Sequence, residues 1–131
     1  MENNKIMEII KNKGATLDRN LNDFKRNKGY IVSLEGQEKK IIKSNIEEIK
    51  KEIEEKRKFI ENRKGLYIGL WLENDYIYID ISIYIEDKTE ALEIAKKNKQ
   101  LAIYDLKIKD SLYLKDYSFV KYYTIYKIVR D

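Results

Sequence analysis

This chain of 131 residues contains no cysteine, no histidine and no proline. Without cysteine there is no disulfide, no thiolate metal site and no cysteine nucleophile. Without histidine there is no imidazole ligand, and the commonest general base near neutral pH is missing. Without proline nothing fixes a rigid linker or a cis turn. Long apolar runs are missing too: none approaches the ~20 residues of a membrane span. The opening MENNKIMEIIKNK is charged and amphipathic, unlike the apolar stretch and small-residue cleavage site of a signal peptide. The expectation is therefore a cytoplasmic protein. A chain of this length buries roughly 65–70% of its unfolded surface without a staple, and it fits one domain, 1–131.

What is present is lysine, isoleucine, asparagine, glutamate and tyrosine, a bias of the kind found in AT-rich bacterial genomes and their phages. The 27 basic and 23 acidic residues give a formal charge of +4. Residues 1–65 carry 17 basic and 12 acidic side chains, for +5; residues 66–131 carry 10 and 11, for −1. This mild asymmetry permits a polyanion or an acidic protein as partner, but it is far from the concentrated basic stripe of a nucleic-acid-binding domain.

Apolar spacing sets the order of elements. Ile6, Met7, Ile9 and Ile10 predict a short helix over 3–13, with Gly14 as its left-handed stop. Residues 14–29 read as a polar loop anchored by Leu17, Leu21 and Phe24. Tyr30, Val32 and Leu34 alternate with Ile31 and Ser33, and Glu35-Gly36 predicts a hairpin turn into 38–42. Ser44 and Glu47 have the spacing of a capping box, followed by Ile46, Ile49, Ile53 and Ile60 near helical spacing over 44–64. Gly65 ends that helix, after Arg63-Lys64, whose charge suits the negative end of the macrodipole.

Residues 66–73 and 76–86 predict two strands joined by Asn74-Asp75. Ile77, Ile79, Ile81, Ile83 and Ile85 all point one way, and a face of isoleucine is a buried face. Tyr76, Tyr78, Asp80, Ser82, Tyr84 and Glu86 point the other way. On the preceding strand Leu66, Ile68, Leu70 and Leu72 match the buried set, leaving Tyr67, Gly69, Trp71 and Glu73 beside the tyrosines. Asp87 and Glu90 form a second cap for a helix ending near Asn98, with Ala91, Leu92, Ile94 and Ala95 inward. Short strands at 101–106 and 111–114 follow, then a final strand over 117–129. The fold class is α+β: a two-layer sandwich in which an antiparallel, tyrosine-rich sheet packs against two or three helices.

Few motifs carry chemistry. Gly14 among its lysines lacks the second glycine and the Gly-Lys-Ser/Thr ending of a phosphate loop. Lys28-Gly29-Tyr30 matches only the opening of the RNA-recognition signature. Asp80 and Ser82, mid-strand among tyrosines, read as hydrogen-bonded polar residues on a half-exposed face. The Lys/Glu-rich helix reads as a solvated surface. The feature that stands out is the aromatic sheet face. Such a face serves as a protein interface, as a platform for single-stranded bases, or merely as cross-strand pairing covered by other segments.

Two stretches, GATLDRNLNDFKRNKGYIVSLEGQE and LYIGLWLENDYIYIDISIYIEDKTEALEIAKKNKQLAIYDL, together resemble a group of small proteins carried by phages, prophages and plasmids. The segments that carry the resemblance are Tyr67–Trp71, Ile79–Ser82, Asp87–Ala95 and Asn98–Leu106. It covers 14–106 and brings no established activity with it. It implies a mobile-element accessory protein, and small proteins in that setting often bind and block a host protein. Anti-CRISPR proteins, which occupy a nuclease surface, are an analogy of size and setting.

The expected function is a non-enzymatic protein-binding module directed at a host protein such as a CRISPR or other defence nuclease. Its contact residues are Tyr67, Trp71, Glu73, Tyr76, Tyr78, Asp80, Tyr84 and Glu86, and it has no catalytic residue, metal or cofactor. The alternative is a weak single-stranded nucleic-acid-binding domain that stacks bases on Trp71 and the tyrosines. A third reading is an enzyme acting through Asp80 and the neighbouring tyrosines. The sequence names neither the partner nor the oligomeric state.

Overall fold

A computed structural model of the chain describes residues 1–117. The described elements are α1 (Asn3–Lys11), β1 (Gly14–Leu17), β2 (Tyr30–Ser33), β3 (Lys39–Ile42), α2 (Ile46–Ile60), β4 (Leu66–Glu73), β5 (Tyr76–Ile85), α3 (Lys88–Lys97), β6 (Ala102–Asp105), β7 (Asp110–Tyr113) and a 3-10 turn at Leu114–Asp116. The fold class is α+β, as the sequence predicts. The strand expected at 117–129 lies outside the described residues except for Tyr117. Among the described residues, no helix is long and apolar enough to cross a membrane. The chain divides into two compact units: Met1–Lys25 with Gly36–Ile83, and Arg26–Glu35 with the described residues from Tyr84 onward.

In the first unit the strands run β1-β4-β5-β3, every pairing antiparallel. The isoleucine face forms over Ile77, Ile79 and Ile81, while Ile83 and Ile85, expected to be buried with them, are only half-buried toward the strand's end. Ile68 opposes Ile81, Leu70 opposes Ile79, Leu17 opposes Ile68, and Ile41 opposes Ile77. All of these are buried, and they meet Ile6 and Ile9 of α1 and Ile49, Ile53 and Ile60 of α2. Each fully buried isoleucine contributes about 1.5–3 kcal/mol relative to exposure. The β4–β5 turn closes on Asn74, whose φ of 56° is a left-handed conformation that asparagine tolerates. On α2, Glu52 is also buried and is held by Lys56 at 2.6 Å, one turn away.

Five local expectations need correction. The loop expected at 14–29 contains β1, which binds the edge of β4; four residues are too few to show a periodic signal. The left-handed residue after α1 is Lys13, with φ 66°, and Gly14 opens β1. The 30–42 hairpin does not form: β2 pairs with β6 and β3 with β5. Finally, the α2 cap is one residue later than expected and is not a capping box, because the N-cap backbone amide is not bound by the glutamate. The Asn45 amide donates to the Ile42 carbonyl, which makes Ser44 a turn residue. Asn45 Oδ1 then accepts from the Glu48 amide at 3.2 Å while Asn45 Nδ2 donates to Glu48 Oε2 at 2.9 Å. The helix also stops at Ile60, short of Gly65.

In the second unit the strands run β2-β6-β7, again antiparallel. α3 packs on β2 and β6 through Ala91, Leu92 and Ala95, all fully buried. Asp87 caps the helix as its spacing predicts, accepting from the Glu90 amide at 2.8 Å.

Candidate functional site: an aromatic sheet face in the first unit

The face of the β1-β4-β5-β3 sheet opposite the isoleucines is built in cross-strand rows. Gly14, Trp71, Tyr78 and Lys40 make one row; Glu73, Tyr76 and Ile42 make the next. Directly opposed residues have Cβ atoms about 4.5–5.5 Å apart, so each row is a near-continuous strip of side chains. Trp71 is 39% exposed, Tyr76 38% and Ile42 46%. The Lys40 ammonium lies 4.2 Å from the Tyr76 ring centroid and 5.9 Å from that of Tyr78. This places a cation over the ring faces, where the quadrupole attracts it.

Toward the other end of the same face the surface closes. Asp80 is 6% exposed and Ser82 is 1% exposed. Ser82 Oγ donates to Asp80 Oδ1 at 2.7 Å. Tyr67, opposite Ser82, packs its ring on Phe24 at 4.3 Å between centroids. Asp80 is therefore removed from the set of contact residues: burial keeps its carboxylate from meeting a partner, and its hydroxyl bond satisfies it as a structural polar group. Tyr67, with its ring packed on Phe24, lies in the closed part of the face.

An electrostatic feature borders the open part. Glu38, which precedes β3, has its carboxyl raised above the ordinary 4.5, first by desolvation and then by the charges of Asp80 and Glu73. Negative potential thus accumulates beside the aromatic rows. Among the described residues no group of three or more carboxylates is arranged to hold a metal ion. Glu38, Lys40 and Ile42 were missed by sequence reasoning because β3 was assigned to a hairpin with β2. The run Glu-Lys-Lys-Ile-Ile does not alternate polar with apolar residues, so no local signal separates its two faces.

Tyr84 and Glu86 belong to the second unit. The Tyr84 hydroxyl donates to the Lys28 carbonyl at 2.9 Å, and the Arg26 guanidinium sits 5.5 Å from its ring centroid. Gly29 has a φ of 99° and lies so close to the Tyr84 ring that no side chain fits there. A cavity of about 340 Å³ adjoins them, lined by Lys28, Tyr30, Tyr84, Glu86, Asp105 and Lys107. Its two cations and two anions cancel. Burial, and then the charge of Asp105, raise the Tyr30 hydroxyl above its ordinary value, so Tyr30 is a neutral donor there.

What the open part of the first unit's face offers is apolar and aromatic area with one cation above the rings and carboxylates at its border. Comparisons of this chain with protein families, with curated proteins and with solved structures gave no match.

Proposed function

We propose that this chain is a non-enzymatic protein-binding module whose contact surface is the open end of the β4–β5–β3 face: Trp71, Tyr76, Tyr78 and Ile42, bordered by Glu73 and Glu38. The observation that carries this reading is the exposure of Trp71 and Tyr76, at 39% and 38%, on a rigid sheet whose other face is a packed core. Tryptophan and tyrosine anchors dominate protein interfaces because they bury large area at small cost in side-chain entropy. The charges of Glu73 and Asp80, which raise Glu38, favour a partner that brings a lysine or arginine to this border. A basic nucleic-acid-processing protein of a host defence system fits that description, and a mobile-element origin for the chain fits the resemblance in its sequence.

The test is affinity capture of defined candidates, basic host nucleases among them, by the wild type and by a Trp71→Ala/Tyr78→Ala double variant shown by circular dichroism to be folded. Truncating an anchor of this kind is expected to cost about 2 kcal/mol or more of binding. Equal capture by both proteins removes the aromatic face as the site. Failure of every candidate to bind the wild type counts against the protein-binding reading itself.

The stacking of Lys40 over Tyr76 and Tyr78, beside Trp71, supports a second reading: single-stranded nucleic acid laid across the same rows. Trp71 is the chain's sole tryptophan, so its fluorescence reports on this face directly. Quenching by oligonucleotide that weakens steeply with salt would favour the second reading over the first.

A further inference from the structure

We propose that the first unit holds a phosphate-binding site, separate from the open part of the aromatic face, in the cavity between the turn at Asp18–Asn20 and the segment Arg63–Tyr67. The cavity has a volume of about 220 Å³ and is lined by Asp18, Arg19, Asn20, Arg63, Leu66 and Tyr67, with Gly65 at its rim. That is several times the ~30 Å³ share of one water molecule, which is room for a phosphate group and a small substituent.

Both guanidinium groups are anchored without being neutralised. Arg19 Nη1 donates to the Glu61 carbonyl at 3.4 Å, just past the end of α2. Arg63 lies over the Phe59 ring, 4.3 Å from its centroid, and its Nη1 donates to the Phe59 carbonyl. Among the described residues neither arginine is ion-paired with a carboxylate. Each spends one N–H on a helix-end carbonyl and keeps the rest of its planar fork.

The one carboxylate at the cavity, that of Asp18, is engaged by its own turn. Its Oδ1 accepts from the Asn20 and Asn22 amides at 2.9 and 3.0 Å. The titratable side chains lining the cavity thus carry a net positive charge, with the Tyr67 hydroxyl and the Asn20 side-chain amide as further donor groups at its lining. Two forks lining one cavity match the several oxygens and double charge of a phosphate better than the two oxygens of a carboxylate.

The ligand is a phosphate group, either free or at the end of a small ester. Titration of the wild-type chain, followed by amide-resolved NMR at constant ionic strength, separates the two sources. Inorganic phosphate and ribose 5-phosphate are the probes, and acetate is the control. The expected result is saturable shifts centred on Arg19–Asn20 and Gly65–Tyr67, with a dissociation constant of roughly 1 mM. Acetate should bind at least about tenfold more weakly. Tighter binding of the sugar phosphate assigns the site to an ester, and equal binding assigns it to the free ion.

Arg19→Gln and Arg63→Gln should each weaken binding about tenfold, and Arg63→Lys, which keeps the charge and loses the fork, by less. Dispersed spectra of the variants exclude unfolding as the cause. Shifts without saturation at tens of millimolar, shifts centred elsewhere, acetate binding as tight as phosphate, or binding indifferent to both glutamine variants would each overturn the proposal.

Discussion

Asp80 and Gly69 stand directly opposite each other on β5 and β4, and the glycine is what lets the aspartate lie down. A Cβ at position 69 would fall inside contact distance of Asp80 Oδ1 and 2.8 Å from Ser82 Oγ. The buried Ser82–Asp80 hydrogen bond occupies the space that a side chain at 69 would take. Both neighbours are fixed by strand pairing and by each other, so neither has a flexible end that can swing away.

Gly69→Ala is therefore expected to destabilise the first unit by about 1–3 kcal/mol, the usual range for overpacking. Urea unfolding followed by Trp71 fluorescence measures it. A combined Gly69→Ala/Asp80→Ala variant should recover part of the loss by removing the clashing carboxylate. A loss for the pair equal to the sum of the single losses would show that the two positions are not coupled.

Ile79→Ala and Ile81→Ala each leave a cavity beneath a fully buried position. Each should cost about 2–5 kcal/mol. Tyr76→Ala, on the open face of the same strand, should cost far less. Denaturant midpoints measured for the three variants decide it, and near-equal values would mean that the two faces have been assigned the wrong way round.

The caps separate two neighbouring residues that sequence reasoning confuses. Asn45→Ala removes the side chain that accepts from Glu48 and should lose about 1 kcal/mol. Ser44→Ala, one residue earlier in the turn, should be nearly silent. Asp87→Ala should behave like Asn45→Ala, because Asp87 caps α3 in the same way. Thermal unfolding of the three variants gives the comparison.

Glu38 gives stability a pH dependence whose sign follows from its raised carboxyl. The folded state holds the Glu38 proton to higher pH than the unfolded state does. Between the ordinary value of 4.5 and the raised folded value, the folded chain carries more protons, so this group's contribution falls as pH rises. The contribution is fully present below 4.5 and gone above the folded value. Glu38→Gln should raise the thermal midpoint at about pH 7 and give no gain at about pH 4. Scans of both proteins across that range test it, and a gain confined to acid pH would reverse the assignment. A basic partner side chain at this border would lower the Glu38 carboxyl, so binding of such a partner should strengthen as pH rises through the same interval.

The sequence by itself determined the parts of this protein whose signal is local. Isoleucines at a spacing of two share one face of β5 because side chains on a strand alternate strictly, although only Ile77, Ile79 and Ile81 of the five are buried. Asn74-Asp75 sets the β4–β5 turn, and Asp87 with Glu90 sets the start of α3, because each device acts within four residues. From that register the opposite face, Trp71 beside Tyr78 and Glu73 beside Tyr76, follows without further information. Only the tertiary structure decided which strands take which partners. β2 and β3 are adjacent in the chain and separated by a good turn sequence, yet they pair with β6 and β5; the choice rests on non-local hydrogen bonds and burial that no short window contains. The same pairing places Lys40 over the tyrosines and Glu38 near Asp80. Arg19 and Arg63, 44 positions apart in the sequence, share a cavity for the same reason. Burial decided the fate of Asp80: alternation places it on the aromatic face, but only packing in three dimensions determines which end of that face stays open to solvent.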